Sequence, residues 1–261
     1  MPRSAQRSRG LLMPSNLEKF GVEHLSYSQG AMFIADPARW WLTYVLGHRE
    51  PSNAAMERGK AVEFGVEHFL KNEFVDVDDA IDEAVKYFNR ATALLVSNEQ
   101  WQKELVGIPG MVAWGIEAIR PLGVPLGYQE KIEITLDDVP VPVIGYIDWT
   151  FDGLIVDLKT TNRMPSKISS SHRKQGALYR AAKGNYGVQF LYTTPKRSCF
   201  LELENDRQDL NELRRAFRAM EALCGLSDDR AEIEAILCPD FDSFYWSDQQ
   251  TRDKGREVFK I

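Results

Sequence analysis

The chain has 261 residues, 44% of them hydrophobic, and 38 Asp+Glu against 32 Lys+Arg give it a net charge of -6. That length and apolar fraction support one large domain or two small ones and exclude an intrinsically disordered chain. The three cysteines, Cys199, Cys224 and Cys238, form no CxxC pair, which excludes a disulfide framework, a zinc ribbon or a four-cysteine iron–sulfur cluster.

No run of 18 apolar residues predicts a membrane span. Residues 1–20 are polar and carry Arg3, Arg7 and Arg9; they read as a flexible basic tail with no apolar leader core, and the expected location is the cytoplasm. Residues 21–261 read as a single domain, mainly helical over 21–115, with a sheet and bridging helix over 125–203 and helices again over 204–261. Ser26 to Asp36 leads into a helix, and Asp36-Pro37 supplies a cap and a first-turn proline for an aromatic helix over Arg39–Leu46. Within Ala54–Asn72, Met56, Val62, Val66 and Phe69 recur at helical spacing, which sets Glu63 and Glu67 on nearly one face. Asp78–Leu95 reads as a third helix, and residues 97–115 as strands or an irregular bridge.

The period then changes. Gln129–Leu136 alternates in part, Val143–Phe151 is strand-like, Asp152-Gly153 marks a hairpin turn, and Leu154–Leu158 returns. A helix over Ser170–Lys183 stops at Gly184. Strands over Val188–Thr193 and Cys199–Leu203 follow, then an amphipathic helix over Arg207–Leu223 and a shorter one over Asp229–Leu237. Phe241, Phe244, Tyr245 and Trp246 are expected to pack on the body. The order predicts an α/β core with an N-terminal helical addition.

Taken alone, the acidic balance argues mildly against a nucleic-acid partner, but the charge is unevenly placed. Asp157 to Arg197 holds nine basic residues and one acidic one, whereas Glu202 to Asp240 holds eleven acidic and five basic. A focused basic region attracts phosphates on a globally acidic protein; a solvated basic helix face is the plainer alternative.

The chemistry concentrates at the hairpin, in Gly145-Tyr146-Ile147-Asp148 and Ile155-Val156-Asp157-Leu158-Lys159-Thr160. Asp157 and Lys159 are two apart on one strand and face the same way, with Leu158 opposed. The hairpin brings Asp148 beside them. Two carboxylates and the Leu158 carbonyl suit a hard divalent cation, and an adjacent lysine can orient water and meet developing negative charge. Asp-x-Lys alone is common by chance, as a strand-end ion pair; the spacing, hairpin and basic follow-on together are more specific.

This string resembles the central signature of the PD-(D/E)xK nuclease superfamily, RecB/Cas4-like exonuclease branch. Gln175-Gly176-Ala177-Leu178-Tyr179 is similar to its Gln-x-x-x-Tyr motif, and Gly59 to Glu63 to its Gly-x-x-x-Glu motif. The resemblance implies an α/β, restriction-endonuclease-like core with a central mixed β-sheet flanked by helices. It implies Asp148 and Asp157 as metal ligands with Glu63 and the Leu158 carbonyl, Lys159 as catalytic residue, and Gln175 and Tyr179 as holding DNA and the site. The implied cofactor is Mg²⁺ or Mn²⁺. An iron–sulfur cluster is disfavoured, because no cysteine precedes Cys199. Arg163, Lys167, Arg173 and Lys174, with Gln175 and Tyr179, would meet DNA, through backbone contacts that carry little sequence information.

The implied activity is metal-dependent DNA hydrolysis, as an exonuclease at ends or on single strands, by a bacterial protein or a phage protein acting in the host cell. A structure-selective endonuclease and a catalytically silent or helicase-associated DNA-binding module are the alternatives. The implied partner is DNA, with no membrane; a second copy or a helicase or recombination partner stays open. Glu67 is a reserve ligand and Glu130 a weak one, and His172 is a candidate for phosphate binding or proton transfer.

Overall fold

The computed structural model describes residues 15–261; most of the tail expected over 1–20 lies outside the described residues. In chain order the elements are α1 (Asn16–Lys19), β1 (Leu25–Ser26), α2 (Tyr27–Ala35), α3 (Pro37–Trp40) running into a π-helical turn (Trp41–Val45), α4 (Ala54–Lys71), α5 (Val77–Ala91), α6 (Glu99–Ile119), β2 (Gly127–Ile134), β3 (Val143–Phe151), β4 (Leu154–Thr160), α7 (Ser170–Lys183), β5 (Gly187–Thr194), β6 (Arg197–Glu202), α8 (Arg207–Cys224), α9 (Arg230–Glu234) and α10 (Gln249–Phe259). Among the described residues they fall into two compact units, one of residues 15–49, 135–143 and 214–261, the other of 50–134 and 144–213.

The first unit joins the two ends of the chain. Ser15 and Glu18 form a capping box on α1, and Glu221 accepts from the Asn16 and Leu17 N–H groups at 2.9 and 3.1 Å. Asp36 caps α3 through the Arg39 N–H and accepts from Trp246 Nε1 at 2.5 Å. Trp40, Trp41, Phe217 and Trp246 are fully buried. Of the C-terminal aromatic group, Trp246 packs inward while Phe244 is exposed.

The second unit carries a mixed sheet flanked by helices. β2 lies beside β3, followed by β4, β5 and β6. β4 and β5 are parallel, whereas β3–β4 and β5–β6 are antiparallel. One face is covered by α4, α5 and α6, whose Val62, Val66, Phe88, Ile108, Met111 and Val112 form one core with Trp149, Val156, Leu158 and Leu191.

Residues 97–115, expected as strands or an irregular bridge, are instead most of α6. Gly107, Gly110, Gly115 and Pro109 read as breakers in the sequence, and tertiary packing overrides them. A Cβ at Gly110 would collide with the Pro195 carbonyl, and one at Gly115 would sit 3.0 Å from Val66 Cγ2. Asn98 caps the helix start through its side chain. The stretch Glu99–Leu122 is long and apolar enough to cross a bilayer by length and composition alone, but its Ile108, Met111, Val112 and Ile119 belong to the core of this unit.

The α4–α5 crossing is equally close. A Cβ at Gly65 would lie 2.8 Å from Ala84 Cβ and 2.9 Å from the Ala80 carbonyl oxygen. Gly65→Val is therefore expected to destabilise the protein by about 3 kcal/mol through overpacking, read as a lowered denaturant midpoint with unchanged slope.

Candidate active site

The β3–β4 hairpin places the acidic residues. Gly153 takes φ +66° at its turn, and the ladder runs in register from Phe151–Leu154 to Trp149–Val156. Beyond that pair, Asp148 Oδ2 accepts the Leu158 N–H at 2.8 Å. Because side chains alternate along a strand, Val156 and Leu158 enter the core under α4–α6 while Asp157 and Lys159 face the opposite side. There they stand in parallel register with Phe190 and Tyr192 of β5, under α7.

Asp157 is 1% exposed. Its Oδ2 is buried, accepts no hydrogen bond among the described residues, and forms an ion pair with Lys159 Nζ. Its Oδ1 accepts from Gln175 Nε2 at 3.1 Å. Gln175 Nε2 also reaches Tyr179 Oη at 2.7 Å, and Tyr179 donates to the Tyr146 carbonyl at 2.5 Å. The four-residue spacing thus lets one helix face of α7 hold both the Asp157 carboxylate and the β3 backbone. Gly145 makes room for this: a Cβ there would meet Tyr179 Cε1 at 3.4 Å. Burial, followed by the charges of Asp157 and Asp148, holds the Tyr179 hydroxyl well above the usual tyrosine range.

Glu63 comes from α4. Gly59 lets that helix approach β4 closely, since a Cβ there would lie 3.4 Å from Thr160 Oγ1. Arg58 fastens the same contact. It pairs with buried Glu104 of α6 and donates through Nη2 to Thr160 Oγ1 at 3.2 Å. Burial, then the Asp157 charge, raises the Glu63 carboxyl to about 7, with Lys159 opposing. Asp148 is held well above the carboxylate range by burial first, then by Asp157 and Glu63. The three carboxylates therefore act on one another electrostatically.

Sequence reasoning missed Gln129. Its Nε2 donates to Glu63 Oε1 and, at 3.3 Å, to Asp148 Oδ1, and its backbone is left-handed, φ +46°. A glutamine at the start of a strand carries no sequence signal for either feature. Mutually repelling hard-oxygen donors, with one buried oxygen lacking a hydrogen bond, fit a divalent cation by donor chemistry. Among the described residues, however, no three His, Cys, Asp or Glu side chains already converge as a cation cage; amide and ammonium groups face the carboxylates instead.

The remaining candidates lie around this centre or away from it. Arg163 and Lys167 are exposed. Arg173 and Lys174, expected to meet DNA, are instead engaged by α8: Arg173 Nε pairs with Asp209 at 3.1 Å, and Lys174, buried, pairs with Glu212 at 2.8 Å. A charge run in sequence does not reveal a partner that lies a helix and two strands later. Glu67 is ion-paired with Lys71 one turn on. Glu130 pairs with Lys183 at 2.7 Å and accepts from Thr150 Oγ1 at 2.9 Å.

His172 Nδ1 lies 2.7 Å from Tyr192 Oη, and the ring stacks on Phe190 at 5.8 Å. Burial, then Lys159, lowers its imidazole to about 4, so it is neutral near pH 7. The folded value lies below the ordinary histidine value, so its stability contribution is complete above about pH 6.5 and is lost as the pH falls toward 4. The melting temperature of the wild type is expected to fall relative to His172→Gln across that window, with a constant difference above it.

A model of the PD-(D/E)XK nuclease superfamily matches residues 24–244. No curated protein matches the chain. Among solved structures, a candidate exonuclease from Eubacterium rectale superposes with TM-score 0.55 at 11% identity, covering 94% of this chain and 92% of its own. The protein SSO0001 gives TM-score 0.36 at 14% identity, over 70% of this chain and 96% of its own.

Proposed function

As the chain belongs to the PD-(D/E)XK nuclease superfamily, we propose that it is a divalent-metal-dependent deoxyribonuclease acting as an exonuclease at DNA ends or on single strands. The observation that carries this reading is the joint placement of Asp148 on the Leu158 N–H and of Lys159 on Asp157 Oδ2. The exonuclease expectation rests on the motifs Gly59 to Glu63, Gly145 to Asp148, Asp157 to Lys159 and Gln175 to Tyr179, and the candidate exonuclease from Eubacterium rectale supports the fold.

Each polar side chain then has a task. Glu63, Asp148, Asp157 and the Leu158 carbonyl would hold Mg²⁺ or Mn²⁺, which when bound lowers the pKa of water and polarises a phosphoryl oxygen. Lys159 keeps its ammonium beside the carboxylates, where it orients the attacking water and meets charge building on the phosphoryl group. Gln175 fixes the Asp157 carboxylate, and Tyr179 ties α7 to β3. Neutral His172 adds no competing positive charge next to Lys159. Arg163 and Lys167, exposed in the segment after β4, supply backbone-phosphate contacts that read no bases. The three free cysteines fit a reducing cell interior.

The test is digestion of end-labelled linear DNA, single-stranded DNA and covalently closed circles in Mg²⁺ or Mn²⁺. Progressive loss of linear and single-stranded DNA with intact circles is the expected result. Cutting of closed circles would replace the exonuclease reading with an endonuclease one.

A further inference from the structure

The strand β2 breaks its own alternation at Gln129. Residues two apart on a strand share a face, yet Tyr128 donates to the Leu70 carbonyl of α4 at 3.1 Å while Glu130 pairs with Lys183 of α7. The two neighbours of Gln129 would therefore point to the same side in a regular strand, and here they reach the helix layers on opposite faces of the sheet. The break sits at the left-handed backbone of Gln129, φ +46°, which resembles the local turn of a β-bulge. A non-glycine residue in that region is strained, and such strain persists where the surroundings impose it. Its consequence here is specific: the Gln129 amide is delivered to Glu63 and Asp148 together.

An amide N–H₂ between two carboxylates takes the place of a positive charge. The same amide carries a carbonyl oxygen on the same carbon, and a half-turn about its last side-chain bond exchanges the two ends. The side chain is exposed, so this turn requires no repacking. Resting on the metal-dependent reading above, we propose that Gln129 is a two-position residue of the cation site. Its N–H₂ holds Glu63 beside Asp148 before a cation arrives, and its Oε1 becomes an additional oxygen ligand afterwards. It completes a donor set that the three carboxylates do not close by themselves among the described residues.

The experiment is calorimetric titration of the full chain with Mn²⁺, alongside thermal melts with and without the ion. Gln129→Ala is expected to weaken Mn²⁺ binding about tenfold, in the range seen when groups supporting a metal site are removed. Gln129→Glu is expected to bind at least as tightly as the wild type. Gln129→Lys keeps a donor facing the carboxylates but has no oxygen; it should melt like the wild type without the ion and lose the Mn²⁺-induced rise in melting temperature. If the wild type binds Mn²⁺ and Gln129→Ala binds it equally or more tightly, this inference is overturned while the nuclease reading stands. If the wild type takes up no Mn²⁺ at all, the metal-dependent reading fails and this inference falls with it.

Discussion

Lys159→Ala is expected to lower DNA hydrolysis by roughly 10²–10⁴-fold, the range for removing a positioned acid–base group, with DNA binding retained. The side chain stands over Phe190 at 5.9 Å and pairs with Asp157 Oδ2, so its loss removes a cation from beside the Asp157 carboxylate without opening the core. The substitution also leaves Asp157 without its ion-pair partner at a residue 1% exposed. For that reason Lys159→Met, which retains most of the stem, is the companion variant. The measurement is single-turnover cleavage of labelled linear DNA together with binding in the absence of a divalent ion. Loss of cleavage in both variants, with binding preserved, places Lys159 in the chemical step.

Arg58→Ala is expected to destabilise the protein by about 3–5 kcal/mol, the cost of breaking a buried ion pair from one side. Glu104 is 1% exposed and would keep Gln100 as a hydrogen-bond partner but lose its cation. The Arg58 link to Thr160 would go as well, loosening α4 against the end of β4. The double variant Arg58→Met, Glu104→Met removes both charges and is expected to recover most of the loss, since well-packed apolar replacements of buried pairs are often neutral. Urea unfolding of the wild type, single and double variants reads this directly.

The features legible in the sequence are the local ones. Asp148, Asp157 and Lys159 fall within one hairpin whose turn, Asp152-Gly153, is itself a strong signal, and Gln175 and Tyr179 are one helical turn apart. The alternation of Val156 and Leu158 against Asp157 and Lys159 fixes which side chains share a face. The α7 boundaries at Ser170 and Lys183 follow from a serine cap and Gly184.

What was not legible depends on distant parts of the chain. α6 holds Pro109 and three glycines whose smallness serves contacts with Val66 and Pro195, and no local pattern reports those neighbours. Arg173 and Lys174 form part of a basic run, but their partners Asp209 and Glu212 arrive on α8. Gln129 is invisible for a further reason: its backbone conformation is one that sequence assigns to glycine or asparagine. The helix over Gln249–Phe259 also escaped notice, although Asp248 caps it through the Thr251 N–H.

On the proposed function, Asp148, Asp157 and Lys159 form one metal-dependent hydrolytic centre. Its most direct test is cleavage of linear DNA in Mg²⁺ by the wild type, with and without chelator, beside Asp148→Asn and Asp157→Asn that remain folded. The expected result is cleavage by the wild type, abolished by the chelator and by either substitution. Wild-type rates in both variants, or cleavage that persists in chelator, would contradict it.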